Sequence, residues 1–153
     1  MHLNLNEHLV KKKKLVITGP LEDATLLGIT SVLKAHRLAW LINKTTALKL
    51  VKVEDLYFET PDCVGSYAAR FLFSTEHCTY RLMQNKSMTK QEGVVNYLIS
   101  KMRYIDFFFS VQDFTQTFDS NVFCSALKAT NKINHITSLN WELYRDKDHL
   151  FFD

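Results

Sequence analysis

No stretch constrains the fold more than residues 98–111, Leu-Ile-Ser-Lys-Met-Arg-Tyr-Ile-Asp-Phe-Phe-Phe-Ser-Val. At the two-residue period of a strand, Ile105, Phe107, Phe109 and Val111 share one face, and Tyr104, Asp106, Phe108 and Ser110 share the other. The first face is wholly apolar, which assigns Ile105, Phe107 and Phe109 to the core. The second face mixes aromatic and polar groups. A strand of this kind belongs inside a sheet, with something packed on at least part of its second face. It also sets an acid, Asp106, among aromatics. Buried there, Asp106 needs a partner, and Arg70 or Arg81 is the expected one.

Around this strand the chain punctuates itself with few breakers: 153 residues contain 4 Gly and 2 Pro, so long linkers are not expected. The length suits a single domain, with residues 1–12 as a loose start and 13–153 as the folded unit. Residues 14–18 read as a strand closed by Gly19-Pro20. Residues 26–30 read as a buried strand or the entry to a helix, with Ser31 as N-cap of a helix over 32–43. Asn43 suits the end of that helix as a residue tolerant of the left-handed conformation. Residues 48–58 read as extended or mixed. Alternation over 67–74 and 78–83, joined by Thr75-Glu76-His77, predicts a hairpin.

In the last third, Ser120 is expected to cap a helix apolar or small at 122, 126, 129 and 133, widened by Phe123 and Leu127. A final strand over 136–144 and a docking tail, Leu150-Phe151-Phe152, complete the reading. Strand, helix, strand in this half is expected to join parallel neighbours by a right-handed crossover. The fold class that follows is α+β: a mixed, mainly antiparallel sheet with two main helices, with the ferredoxin-like plait as one such arrangement.

Chemistry is sparse. Three cysteines, Cys63, Cys78 and Cys124, are odd in number and widely spaced, which fits free thiols in a reducing compartment and offers no zinc or redox motif. Six histidines show no metal-binding spacing, and His77-Cys78, adjacent on a strand, would point to opposite faces. No phosphate-cradling glycine loop is present. The sequence therefore names no catalytic residue, no metal ligand and no cofactor. No apolar run reaches the length of a membrane span, so a cytoplasmic location is expected. The net charge of +3 is too small to imply nucleic acid by itself, and Lys11-Lys12-Lys13-Lys14 reads as a solvated lead-in.

Four segments in order resemble the bacterial IPExxVDY family: Leu27-Gly28-Ile29, His36-Arg37-Leu38-Ala39-Trp40, Leu82-Met83-Gln84-Asn85-Lys86-Ser87 and Ile105-Asp106-Phe107, with Lys147-Asp148-His149-Leu150-Phe151-Phe152 similar to its C-terminus. Ile105-Asp106-Phe107 is similar to the second triplet of the name-giving motif, whereas Ser100-Lys101-Met102 match none of the first. The resemblance implies no activity, cofactor or site residues.

Two functions remain to be weighed. An RNA-binding reading needs Tyr104, Phe108, Arg70 and Arg81 exposed together on an open sheet face, where bases stack and phosphates are held. Asp106 at its centre would repel phosphate, so the helix bearing Trp40, or a second subunit, is expected to cover that face, with Tyr104 and Phe108 mostly buried. The favoured reading is a non-catalytic interaction domain that forms a homo-oligomer through a sheet face or edge, with another protein partner open. Arg37, three residues before Trp40, is the remaining candidate, as a cation–π pair on one helix face.

Overall fold

The computed structural model describes residues 24–60, 63–89 and 95–140. The expected loose start, the strand at 14–18 and the docking tail lie outside the described residues. The elements run β1 (Ala24–Thr30), α1 (Ala35–Thr45), β2 (Val51–Lys52), β3 (Leu56–Thr60), β4 (Cys63–Ala68), β5 (Arg70–Ser74), β6 (Cys78–Gln84), β7 (Met88–Thr89), a 3₁₀ turn (Ser100–Met102), β8 (Phe107–Asp113), α2 (Ser120–Lys128) and β9 (His135–Leu139).

Six strands form one sheet in the order β2-β5-β6-β8-β1-β9, and β3-β4-β7 form a smaller one. Every pairing in both is antiparallel. The class is therefore α+β. Within the larger sheet, β9-β1-β8-β6 with α1 and α2 has the strand order and directions of a ferredoxin-like plait, extended at one edge by β5 and β2. The α2 crossover joins β8 to β9, which run parallel but are not neighbours. β1 lies between them, antiparallel to both, because each crossover of this fold skips one strand.

The strand β8 is central and buried along its whole length. One face carries Phe107, Phe109 and Val111 into the main core, with Leu27 and Ile29 of β1, Leu82 of β6, and Leu38, Ala39 and Ile42 of α1. There Phe109 stacks on Phe123 of α2, with ring centroids 4.6 Å apart. The other face carries Phe108 against Leu26, Met83, Leu98, Ile99 and Ile105, with Leu56 and Phe58 packed beside them. Both faces of the sheet are thus covered over this region, one by helices and the other by residues 98–105 and β3.

Three expectations shift by a few residues, each for a physical reason. The strand begins at Phe107, so Ile105 belongs to the second cluster; the 3₁₀ turn breaks the alternation before it reaches β8. The helix expected from residue 32 begins at Ala35, and Ser31 does not cap it, because its hydroxyl is spent on Leu33 N–H (3.2 Å) and Lys132 O (2.9 Å). The cap of α2 is Asp119, not Ser120: its carboxylate accepts from the N–H groups of Asn121 and Val122 at 3.0 and 3.2 Å. The stripe of α2 is correspondingly centred on Phe123 and Leu127, and Val122 faces solvent. The predicted hairpin is β5–β6, with Phe73 opposite Tyr80.

Truncating Phe107 to alanine empties part of the main core and is expected to destabilise the chain by about 3–5 kcal/mol. Tyr104→Ala, at an exposed side chain, should cost less than about 0.5 kcal/mol. Urea unfolding of the two variants checks this. A wild-type midpoint for Phe107→Ala would refute the assignment.

Candidate functional site

The segments that meet where β1 ends and β8 begins are held by a small set of polar and close-packed groups. Gly28 lies under Ile105: a Cβ at position 28 would stand 2.5 Å from Ile105 Cδ1. The backbone N–H of Asp106 donates to Ile29 O at 2.9 Å, and its carboxylate accepts from Ser31 N–H at 2.9 Å. The Thr30 hydroxyl donates to Tyr104 O, also at 2.9 Å. Asn85, fully buried, donates through Nδ2 to Met102 O and Ile105 O at 3.0 and 2.9 Å, and accepts at Oδ1 from Ile99 N–H at 2.8 Å. Its own backbone bonds Asp106 O and Leu98 N–H, both at 2.8 Å. Leu27-Gly28-Ile29, residues 82–87 and Ile105-Asp106-Phe107, three of the segments quoted above, therefore touch one another here.

This junction underlies one end of the plait, and the charges there are one-sided. Lys34 and Arg37 open α1, Lys86 follows β6, Lys101 and Arg103 precede β8, Lys128 ends α2, and Lys132 lies between α2 and β9. All seven are exposed, as are His36 and His135. Asp106 is the one acid among them within the described residues, and it is turned onto Ser31 N–H. Over the other described residues, five Lys and Arg face six Asp and Glu. At the β2–β5 edge of this same end, Lys52 and Arg70 lie beside Glu54 and Asp55, with Lys52 bridged to Asp55. The excess is confined to the four strands of the plait.

Of the residues singled out from sequence, Phe108 is buried (1% exposed) as expected, whereas Tyr104 is 62% exposed. They do not share a face because residue 104 lies in a turn before β8. Asp106 is satisfied by a main-chain N–H rather than by Arg70 or Arg81. Arg81 is paired with Ser110, four residues along β8 and thus about 13 Å away. It donates instead to Gln112 Oε1 at 2.7 Å, and Arg70 donates from Nε to Glu54 O at 2.7 Å. The helix bearing Trp40 covers the opposite face from the one proposed for it. Trp40 is 55% exposed, and its ring is met by Lys44, with Nζ 4.8 Å from the centroid, rather than by Arg37. An i,i+4 ammonium on a long stem reaches the ring, and Arg37 stays in solvent.

Other groups do structural work. Cys78 and Cys124 are free thiols, and burial pushes both pKa values up, which disfavours the thiolate. His77, next to Cys78, is exposed. Among the described residues no group of three or more His, Cys, Asp or Glu is placed to hold a metal ion, and no helix is long and apolar enough to cross a membrane. An open depression of about 530 Å³ beside Asn43 and Leu50 has its one amide already spent, since Asn43 bonds both the N–H and the O of Leu50. That bonding, rather than a left-handed backbone, is the role of Asn43 in closing α1.

Sequence reasoning missed Asn85, Gly28 and Asp113. Asp113 did carry a signal, since threonines follow at two and four residues and can cap its carboxylate in an Asx-type turn. Oδ1 accepts from the Thr115 N–H and hydroxyl at 3.0 and 2.7 Å, and Oδ2 from the N–H groups of Thr117 and Phe118 at 2.6 Å. Burial works to raise the pKa, but these bonds outweigh it and hold the carboxyl well below the usual range.

The chain matches no protein-family model and no curated protein.

Two outcomes follow from this packing. Gly28→Ala should cost about 1–3 kcal/mol through its contact with Ile105, and Ile105→Val, which removes Cδ1, should relieve part of that cost. Urea midpoints of both single variants and the double variant measure the coupling; strict additivity would show that the two side chains do not press on each other. For Asp113, a depressed folded pKa means stability that is present above the unfolded value of about 3.9 and is lost as pH falls through the folded one. Asp113→Asn should be about 2 kcal/mol less stable than the parent at pH 7, and the gap should narrow below about pH 4. A gap of constant size down to acid pH would contradict the sign.

Proposed function

We propose that the chain is a non-catalytic interaction domain that self-associates through the edge of its main sheet. The observation that carries this is β9. Among the described residues the six-stranded sheet ends on it, and it pairs with β1 over five residues in regular register, without a bulge. Its sequence, His-Ile-Thr-Ser-Leu, contains none of the lysines or prolines that guard an edge against another chain. With helices on one face and residues 98–105 with β3 on the other, the edge rather than the face is the surface on which a second copy fits. Such pairing is antiparallel and isologous when two β9 strands meet about a two-fold axis.

The reading extends to family and place. The contact among residues 27–29, 82–87 and 105–107 supports membership of the IPExxVDY family, with Ile105-Asp106-Phe107 acting as a packing and capping unit rather than as catalytic groups. The two free thiols fit a bacterial cytoplasm.

Sedimentation velocity tests the association. The parent chain should form a dimer at micromolar concentration, and Ser138→Lys, a charge at an exposed edge position, should weaken it about tenfold or more. A parent that remains monomeric at the highest soluble concentration, or a variant that dimerises equally well, would overturn the proposal.

A further inference from the structure

We propose that the basic end of the plait binds single-stranded nucleic acid, with lysines and arginines on the phosphates and Tyr104 stacked on a base. The surface differs from the β9 edge and from the sheet face considered above, which is covered. Three observations point to it.

The first is the segregation of charge. Seven Lys and Arg from four separate segments converge on one end, while the other described residues are close to neutral. Four adjacent strand ends span about 15 Å, so the cations form a compact field rather than a line along one helix. The second is the acid. Asp106, half-buried and turned onto Ser31 N–H, is one negative charge against seven exposed cations, so the field at this end stays positive.

The third is the aromatic group. Tyr104 is exposed yet fixed, since its carbonyl accepts the Thr30 hydroxyl and its own hydroxyl reaches Met102 Sδ at 3.5 Å. Beside it, the Arg103 guanidinium lies 5.6 Å from the centroid of the Tyr97 ring. An ordered exposed ring next to a planar cation is the chemistry that stacks unpaired bases. A lipid surface would call instead for an amphipathic helix with several apolar anchors; at this end the exposed Val32 stands without that helix.

The test is fluorescence anisotropy of the full chain with a labelled single strand of about twelve nucleotides, as RNA and as DNA. With about five phosphates neutralised, the log–log salt slope should be near −3.5, so raising salt from about 50 to 150 mM weakens binding roughly fifty-fold. The triple variant Arg37→Gln, Arg103→Gln, Lys132→Gln should reduce the slope by about 2. Tyr104→Ala should lower affinity about tenfold with little change in slope. All of these positions are exposed, so urea midpoints equal to the parent's verify folding. Binding of RNA, of DNA or of both supports the proposal and says which sugar is preferred. No binding at about 50 mM salt overturns it. So does binding that these variants leave intact, binding lost only when Lys11–Lys14 are changed to Gln, or capture of phosphatidylserine vesicles without capture of either oligonucleotide. Dimer formation is read separately by sedimentation, so failure of one proposal does not disguise failure of the other.

Discussion

The buried amide of Asn85 is the constraint on which the second half of the fold depends. Residues 95–106 contain no strand long enough to hold themselves against the sheet. They are held by Asn85, whose side chain makes three bonds to residues 99, 102 and 105 and whose backbone makes two more, to 98 and 106. Ser87 N–H adds a bond to Asn96 O, and Asp106 N–H one to Ile29 O, but Asn85 supplies five of the ties that a neighbouring strand would otherwise provide. An amide fully out of water costs several kcal/mol if its bonds are missing, yet adds only about 1 kcal/mol per bond when they are made. The value of Asn85 is therefore positional. It forces the segment into the one path that satisfies it, and that path lays Leu98, Ile99 and Ile105 over Phe108.

A second tie follows from the first. With Ile105 brought down onto the sheet, the strand beneath must leave room, and Gly28 does so. The same path sets Asp106 opposite Ser31, where its main chain and carboxylate both bond β1 and the turn after it. Ser31 then passes the connection to Lys132 O ahead of β9. The ends of β6, β8, β1 and β9 are in this way joined by side chain to main-chain bonds, with no salt bridge between them among the described residues. Such bonds are short-ranged and little screened by salt, so the end of the plait keeps its shape at the ionic strengths over which a charged ligand binds and leaves.

What was legible from sequence follows a pattern. Alternation revealed β8 and the β5–β6 hairpin because a two-residue period is a direct image of two faces. Helix periodicity found α1 and α2 but set the start of α1 and the inward stripe of α2 a residue or more off, since a local reading assigns caps by residue type, whereas the Ser31 hydroxyl bonds Lys132 O and Asp119 caps α2. The burial of Phe108 was expected, and its cover was misattributed. The covering segment has no period, and a buried asparagine looks like any loop polar residue until its partners, fourteen to twenty residues downstream, are known. The candidate surface was the least legible. Its cations are scattered from residue 34 to 132 and converge only through the order of the strands.

Three of the carboxylates among the described residues are committed to architecture: Asp113 closes the turn after β8, Asp119 caps α2, and Asp106 joins β1 to β8. Of the three, only Asp113 is buried; Asp106 is half-buried and Asp119 is exposed. At the end near Asp106 the acid that fastens the strands is a single negative charge against seven surrounding lysines and arginines. The junction's stability draws on its hydrogen bond to Ser31 N–H, and the proposed recognition of a polyanion draws on the exposed cations around it. Removing the carboxylate would spare the positive field but loosen its support, whereas neutralising the exposed cations would spare the support and remove the field. Stability and affinity are separable only in that second direction, which is why the decisive variants are the exposed ones.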